Sequence, residues 1–256
     1  MEKSLKSRLA RREPLVGPLI TLPTPEIAEI MCTVGFDYLW IETEHAPMDL
    51  TQAQTMIQAV GGRCPCVVRV PDNAEAWIKR ALDIGCDGIV IPQIKSGAEA
   101  REAVQWCLYP PAGRRGVGIG RAHGYGMAFQ EYVDAANDQL AIILQVEHID
   151  GVRNIRSIVE TPGIDAILIG PFDLSGSLGL LGEIDHPRVT EAIQEIKRHC
   201  DEARVPVGMF VVDASAARRC IDDGVTLVAL GMDVFYLWKS ARQALDEVRE
   251  PLACSS

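Results

Sequence analysis

The residues able to move protons, hold cations or face anions fall where apolar runs stop. Residues 36–47, FDYLWIETEHAP, pass from Tyr38, Leu39, Trp40 and Ile41 directly into Glu42, Glu44 and His45. Arg69 follows Val67 and Val68, and Gln145 and Glu147 close the run that starts at Leu140. The turn Gly170-Pro171-Phe172-Asp173-Leu174-Ser175 follows a fourth run. His45 is the group among them whose ordinary pKa suits proton transfer near neutrality. Glu147 and Asp173 offer two hard oxygen ligands. With no thiolate or histidine pair beside them they suit Mg²⁺ or Mn²⁺, with Co²⁺ a third candidate, and leave positions open for water or a chelating substrate. Arg69 is a fixed cation suited to a carboxylate or a developing oxyanion.

Each residue also has a plainer reading. Glu44 and His45 could sit in a polar loop, Glu147 could pair with Arg153, Asp173 could cap a turn, and Arg69 could be a structural ion-pair partner. His148 should point away from Glu147 along a strand. His123, in a glycine-rich loop, could reach substrate or be merely solvated, and His186 and His199 read as surface positions.

The elements that must position these groups are eight apolar, β-rich segments: 15–21, 36–42, 66–70, 88–92, 140–147, 166–170, 205–212 and 226–231. They are continuous runs, as strands buried on both faces require. Helical patterns fall at 25–34, 51–60, 73–84, 96–108, 125–136, 150–159, 187–203, 213–223 and 233–248, with Ser96 and Glu99 spaced as a capping box. Gly35, Gly61, Gly85 and Gly224 stand where helices should end. Strand alternating with helix eight times predicts an α/β fold, a single (β/α)8 TIM barrel over residues 1–256. A doubly wound sheet is the alternative, but Gly17-Pro18 is not the glycine-rich fingerprint expected after its first strand. Residues 109–126, YPPAGRRGVGIGRAHGYG, must form a loop, and a long ordered loop is usually functional.

Composition narrows the function. A net charge of −10 argues against a nucleic-acid partner and offers no basic face to a membrane. The basic start, MEKSLKSRLARREP, reads as a short amphipathic segment with no apolar signal core behind it. Eight cysteines at 32, 64, 66, 86, 107, 200, 220 and 254 lie mostly in apolar stretches, a pattern of free thiols in a reducing cytoplasm. Cys64-Pro65-Cys66 lacks the second pair a zinc site needs.

The chain resembles the metal-dependent pyruvate aldolases of the 4-hydroxy-2-oxoheptanedioate aldolase family (HpcH/HpaI), which also holds 2-keto-3-deoxy sugar-acid aldolases. The likeness runs over residues 15–248 and rests on Glu44-His45-Ala46-Pro47, Val67-Val68-Arg69, the segment 109–116, Gln145-Val146-Glu147 and 169–175, in that order. It implies that Glu147 and Asp173 hold the divalent metal and His45 is the catalytic acid/base. It further implies that Arg69 stabilises pyruvate enolate and Gln145 positions the substrate, with Gly170 and Phe172 in the turn beside it. Asp83 matches a family acid near a subunit interface, and trimers or hexamers are implied. The chain departs from the family at Glu42, where Asp is usual, so the reach toward His45 changes. It departs again at Phe172, where smaller residues are common, so the site narrows or the ring packs beneath it. No strand ends in a lysine placed for imine chemistry; Lys95 is the nearest. Two other readings remain on these residues: decarboxylation of oxaloacetate at the same site, and a non-catalytic barrel that binds a keto acid. The C-terminal helix, with Val234, Phe235, Leu237, Trp238 and Leu245, could pack on a neighbour or close its own barrel.

Overall fold

The computed structural model describes residues 4–249. Its centre is a closed parallel barrel in which each strand pairs with the next and the eighth with the first. The strands are β1 (Leu15–Ile20), β2 (Leu39–Glu42), β3 (Cys66–Arg69), β4 (Gly88–Ile91), β5 (Ala141–Val146), β6 (Ala166–Ile169), β7 (Val207–Val211) and β8 (Leu227–Met232). Around them run α1 (Leu5–Ala10), α2 (Pro25–Val34), α3 (Leu50–Val60), α4 (Glu75–Asp83), α5 (Gly97–Cys107), α6 (Phe129–Gln139), α7 (Ile149–Arg153), α8 (Ile155–Val159), α9 (Pro171–Ser177), α10 (Pro187–Glu202), α11 (Ala214–Asp222) and α12 (Asp233–Arg249). The continuous apolar runs have the meaning expected of them. Leu15, Leu19, Tyr38, Trp40, Val67, Val90, Ile143 and Leu168 fill the barrel interior. Their sequence neighbours, among them Ile20, Ile41, Val68, Ile89, Leu144 and Ile167, pack outward against the helices. Burial on both faces leaves no polar alternation to read.

Helix α1 confirms the amphipathic start. Leu5 and Leu9 join the interior cluster and plug the end of the barrel where the strands begin. Lys6 binds the Leu140 carbonyl at 3.1 Å and Asp165 at 2.9 Å. Helix α3 starts at a full capping box between Asp49 and Gln52 and ends at Gly61 in the left-handed region, φ 61°. The Ser96–Glu99 box is only half formed. Ser96 accepts from the Glu99 N–H, but the Glu99 carboxylate accepts from the Lys95 N–H instead.

Three expectations need correction, and one choice left open is narrowed. The helix expected at 125–136 is a 3₁₀ segment, Arg121–Gly126, followed by α6, because Gly124, Tyr125 and Gly126 all adopt positive φ. The helix expected at 150–159 breaks into α7 and α8 at Asn154, whose amide binds the carbonyls of Lys95 and Asp150. The turn at 170–175 is the start of α9, with Pro171 at its first position, where a missing N–H costs nothing. Helix α12, open in sequence between packing on a neighbour and closing its own barrel, is held to the barrel by its first turn. Asp233 is its one buried residue, and Phe235, Leu237 and Trp238 are 49%, 63% and 68% exposed.

The seven described cysteines are free thiols, and Cys254 lies outside the described residues. Among the described residues no helix is long and apolar enough to cross a membrane.

Candidate active site

Strand register brings the ionisable groups together at the end of the barrel where strands finish. Glu42, the last residue of β2, pairs in register with Arg69, the last of β3. Its carboxylate accepts from Arg69 Nε at 2.7 Å and from Trp40 Nε1 at 3.2 Å. Arg69 reaches across to β5, donating from its terminal nitrogen to Gln145 Oε1 at 3.2 Å. The Gln145 amide then donates to Glu147 Oε2 at 2.5 Å, and the other Glu147 oxygen accepts the backbone N–H of Gln93 at 2.9 Å. Gln93 is left-handed, φ 61°, just past β4. A side chain at position 170 would bring its Cβ within 2.8 Å of Glu147 Oε2, so Gly170 gives that carboxylate room. Glu42, Gln145 and Glu147 are all 3% exposed or less. Buried polar groups persist only when bonded, and this chain of bonds locks the first atoms of the site in place.

The role expected of Glu42 changes. Its carboxylate does not touch the His45 imidazole. It accepts the backbone N–H groups of Glu44 and His45, at 2.7 and 2.9 Å, and so fixes the loop that carries the histidine. The acid nearest the ring is Glu44, 3.7 Å from His45 Nε2, while the His45 side chain is 66% exposed. Glu44 was left without a role in the sequence; its spacing, one residue before His45, was the available signal.

Glu44 also lies 3.1 Å from Arg69 Nε, yet its buried Oε2 receives no hydrogen bond, because that N–H is aimed at Glu42. Burial, with Glu42 and Asp173 nearby, pushes its carboxyl up to about 7 even though Arg69 pulls the other way. Burial first, then Glu44 and Asp173, likewise push Glu147 up to about 7 against the Gln93 N–H. Asp173 thus acts electrostatically on both Glu44 and Glu147, an excess of carboxylate over the one arginine, Arg69, that offsets it. That surplus of hard oxygen donors fits a divalent cation. Among the described residues no three His, Cys, Asp or Glu side chains close on one point, so the chain itself offers at most a two-carboxylate set such as Glu147 and Asp173.

His45, Arg69, Gln145, Gly170, Phe172 and Asp173 line a cavity of about 170 Å³ together with the apolar Leu19, Trp40, Leu168, Phe210 and Met232. Asp173, in the first turn of α9, makes no capping bond. Arg153 pairs with Asp150, which removes the alternative partner for Glu147. His148 caps α7 through the Asp150 N–H and faces away, as expected. His186 caps α10, and His199 lies between Glu195 and Glu202.

Asp83 is not brought to this mouth. It ends α4 at the opposite end of the barrel, bonded to Arg115 at 2.8 Å. The loop expected to be functional packs there too. His123 is buried within it, bonded to the Tyr109 hydroxyl at 3.0 Å and stacked on Phe129, and burial holds its imidazole below the usual range. Within one chain neither His123 nor Asp83 can touch what binds at the mouth.

Three comparisons bear on this geometry. Residues 19–240 match the family model described as HpcH/HpaI aldolase/citrate lyase. The hydroxypyruvate/pyruvate aldolase of Paraburkholderia phytofirmans is 40% identical over 96% of this chain and 97% of its own. The 4-hydroxy-2-oxo-heptane-1,7-dioate aldolase of Escherichia coli is 34% identical over 94% of this chain and 93% of its own. The crystal structure of a family protein from Burkholderia cenocepacia superposes with a TM-score of 0.92 at 38% identity, over 96% of this chain and 98% of that one. With a closed eightfold barrel and a carboxylate-rich mouth already in place, the chain belongs to the HpcH/HpaI aldolase/citrate lyase family.

Proposed function

We propose that the mouth is the site of an aldolase that cleaves a 4-hydroxy-2-oxo acid to pyruvate and an aldehyde, with a divalent cation held by Glu147 and Asp173. The observation that carries this reading is the electrostatic one. Burial pushes up the carboxyls of Glu44 and Glu147, Asp173 lines the cavity with Arg69, and one buried oxygen, on Glu44, has no donor. Mg²⁺ or Mn²⁺ suits this oxygen set, with Co²⁺ a third candidate. When bound, the cation supplies Lewis acidity toward the ketone of a chelating 2-oxo acid.

The side chains divide the remaining work. Exposed at the end of a loop clamped by Glu42, His45 is free to take the C4 hydroxyl proton, directly or through a water. As the C3–C4 bond breaks, its electron pair moves toward the C2 oxygen. Arg69 is buried beside that developing charge, held rigid by Glu42 and Gln145, and a preorganised cation stabilises charge without having to reorganise. Gln145 positions the substrate, and Gly170 keeps space open beside it. Protonation at C3 then yields pyruvate.

The same reading takes the protein as a cytoplasmic homo-oligomer, trimer or hexamer, with no nucleic-acid or membrane partner. The exposed apolar face of α12 supports assembly. Asp83, remote from its own mouth, acts in this reading across a subunit interface.

The test is chemical. Pyruvate release from a 4-hydroxy-2-oxo acid is expected to fall to background in EDTA and to return with Mg²⁺ or Mn²⁺. Undiminished release in excess chelator would remove the cation from the account. Oxaloacetate decarboxylated faster than the hydroxy-oxo acid is cleaved would make decarboxylation the activity.

A further inference from the structure

We propose that the aldehyde half of the substrate is apolar, an aliphatic or aromatic aldehyde without a second carboxylate, and that Phe172 selects it. The inference rests on the aldolase reading and concerns the part of the cavity that reading leaves unused.

Charged and apolar residues share the cavity. Its ionisable lining residues are His45, Arg69 and Asp173, while Leu19, Trp40, Leu168, Phe210 and Met232 supply apolar lining and Phe172 is 46% exposed. Arg69 is the one strong cation in that lining, and it is committed. It donates to Glu42 and Gln145 and lies 3.1 Å from Glu44, beneath the Trp40 ring at 5.2 Å. It has no face left for a distal carboxylate. The apolar surface continues outward. A second cavity of about 330 Å³ shares Pro171, Phe172 and Phe210 with the first and adds Ile184, Ile193 and Val212. Its cation, Arg219, lines it together with Asp185 and Asp223. A carboxylate placed against such a wall loses its hydration and finds no partner, whereas a hydrocarbon tail gains by burial. This differs from what the name of the Escherichia coli relative implies for that protein, whose 1,7-dioate carries a carboxylate at both ends.

The aldol addition to pyruvate tests the idea with two aldehydes of matched shape, 4-methylpentanal and succinate semialdehyde, in the full-length protein with Mn²⁺. Pyruvate consumption is expected to give 4-methylpentanal a kcat/KM about tenfold or more above that of the semialdehyde, the size that differential pocket contacts supply. Phe172→Ala is expected to pull that ratio toward one, and Phe172→Leu to keep most of it. A preference for the semialdehyde, above all one abolished by Arg219→Ala, would overturn the proposal, as would a ratio indifferent to Phe172→Ala. If neither aldehyde is consumed while a 4-hydroxy-2-oxo acid still releases pyruvate, the apolar subsite alone is refuted. If that release is absent too, the aldolase reading falls and takes the subsite with it.

Discussion

At the residue scale, one carboxylate network does two jobs. Glu42 serves the backbone of the His45 loop and the side chain of Arg69, while Glu44 and Glu147 face inward with their carboxyls pushed up to about 7. This fixes a pH dependence. Without a cation, the folded protein holds more protons on these two acids than the unfolded chain does between about 4.5 and 7. Their contribution to stability therefore falls as pH rises through that window. In the proposed reading a cation on Glu147 and Asp173 requires Glu147 deprotonated, so its stabilisation would grow over the same range. The rise in Tm caused by Mg²⁺ is expected to be larger at pH 8 than at pH 5.5. Glu147→Gln should abolish the rise, while His45→Ala should keep it and lose about 10²- to 10⁴-fold in kcat. A Tm rise independent of pH, or lost in His45→Ala, would contradict the assignment.

At the element scale, short connections hold the mouth together. Asp233, buried at the start of α12, accepts from the N–H and hydroxyl of Thr21 and from the N–H groups of Leu22 and Val234. It ties the end of β1 to the end of β8 where the barrel closes. Asp233→Ala leaves those partly buried donors unpaired, so unfolding in urea should show a loss of about 1–3 kcal/mol. An unchanged midpoint would mean that water replaces the carboxylate. Gln93 plays a comparable part in backbone alone. Its left-handed turn delivers one N–H to Glu147, and no side-chain chemistry advertises it.

At the scale of the whole molecule, the last helix is held to the barrel by its first turn, through Asp233 and Tyr236, and leaves much apolar surface uncovered. Leu237 and Trp238 project into solvent, more exposed than large apolar side chains of a closed fold usually are. If α12 packs on a neighbouring copy, Trp238→Glu combined with Leu237→Lys should shift the protein to a smaller species in sedimentation. An unaltered sedimentation coefficient would place the subunit contacts elsewhere. The loop 109–126 and the residue after it add Val117, Ile119 and Met127, 59%, 75% and 90% exposed, at the end of the barrel opposite the mouth.

The order and periodicity of the chain were sufficient for the barrel. Eight doubly apolar runs separated by helical patterns admit few other packings, and the ionisable residues following those runs had to meet at one end. His45, Arg69, Gln145 and Asp173 were legible for that reason. What the linear order could not convey was direction. Glu42 is two residues from Glu44 in sequence, but which acid faces the imidazole depends on the path of a loop pinned by hydrogen bonds to its own backbone. The long glycine-rich loop looked functional by length, yet it leads from the end of α5 into α6, ahead of β5, and it lies with Asp83 at the far end of the barrel. Apolar residues on α12 read alike for core and for interface, and only packing separates them, because burial is a property of neighbours and not of the residue. The sequence thus determined which groups gather at the mouth, and the tertiary structure decided what each of them touches.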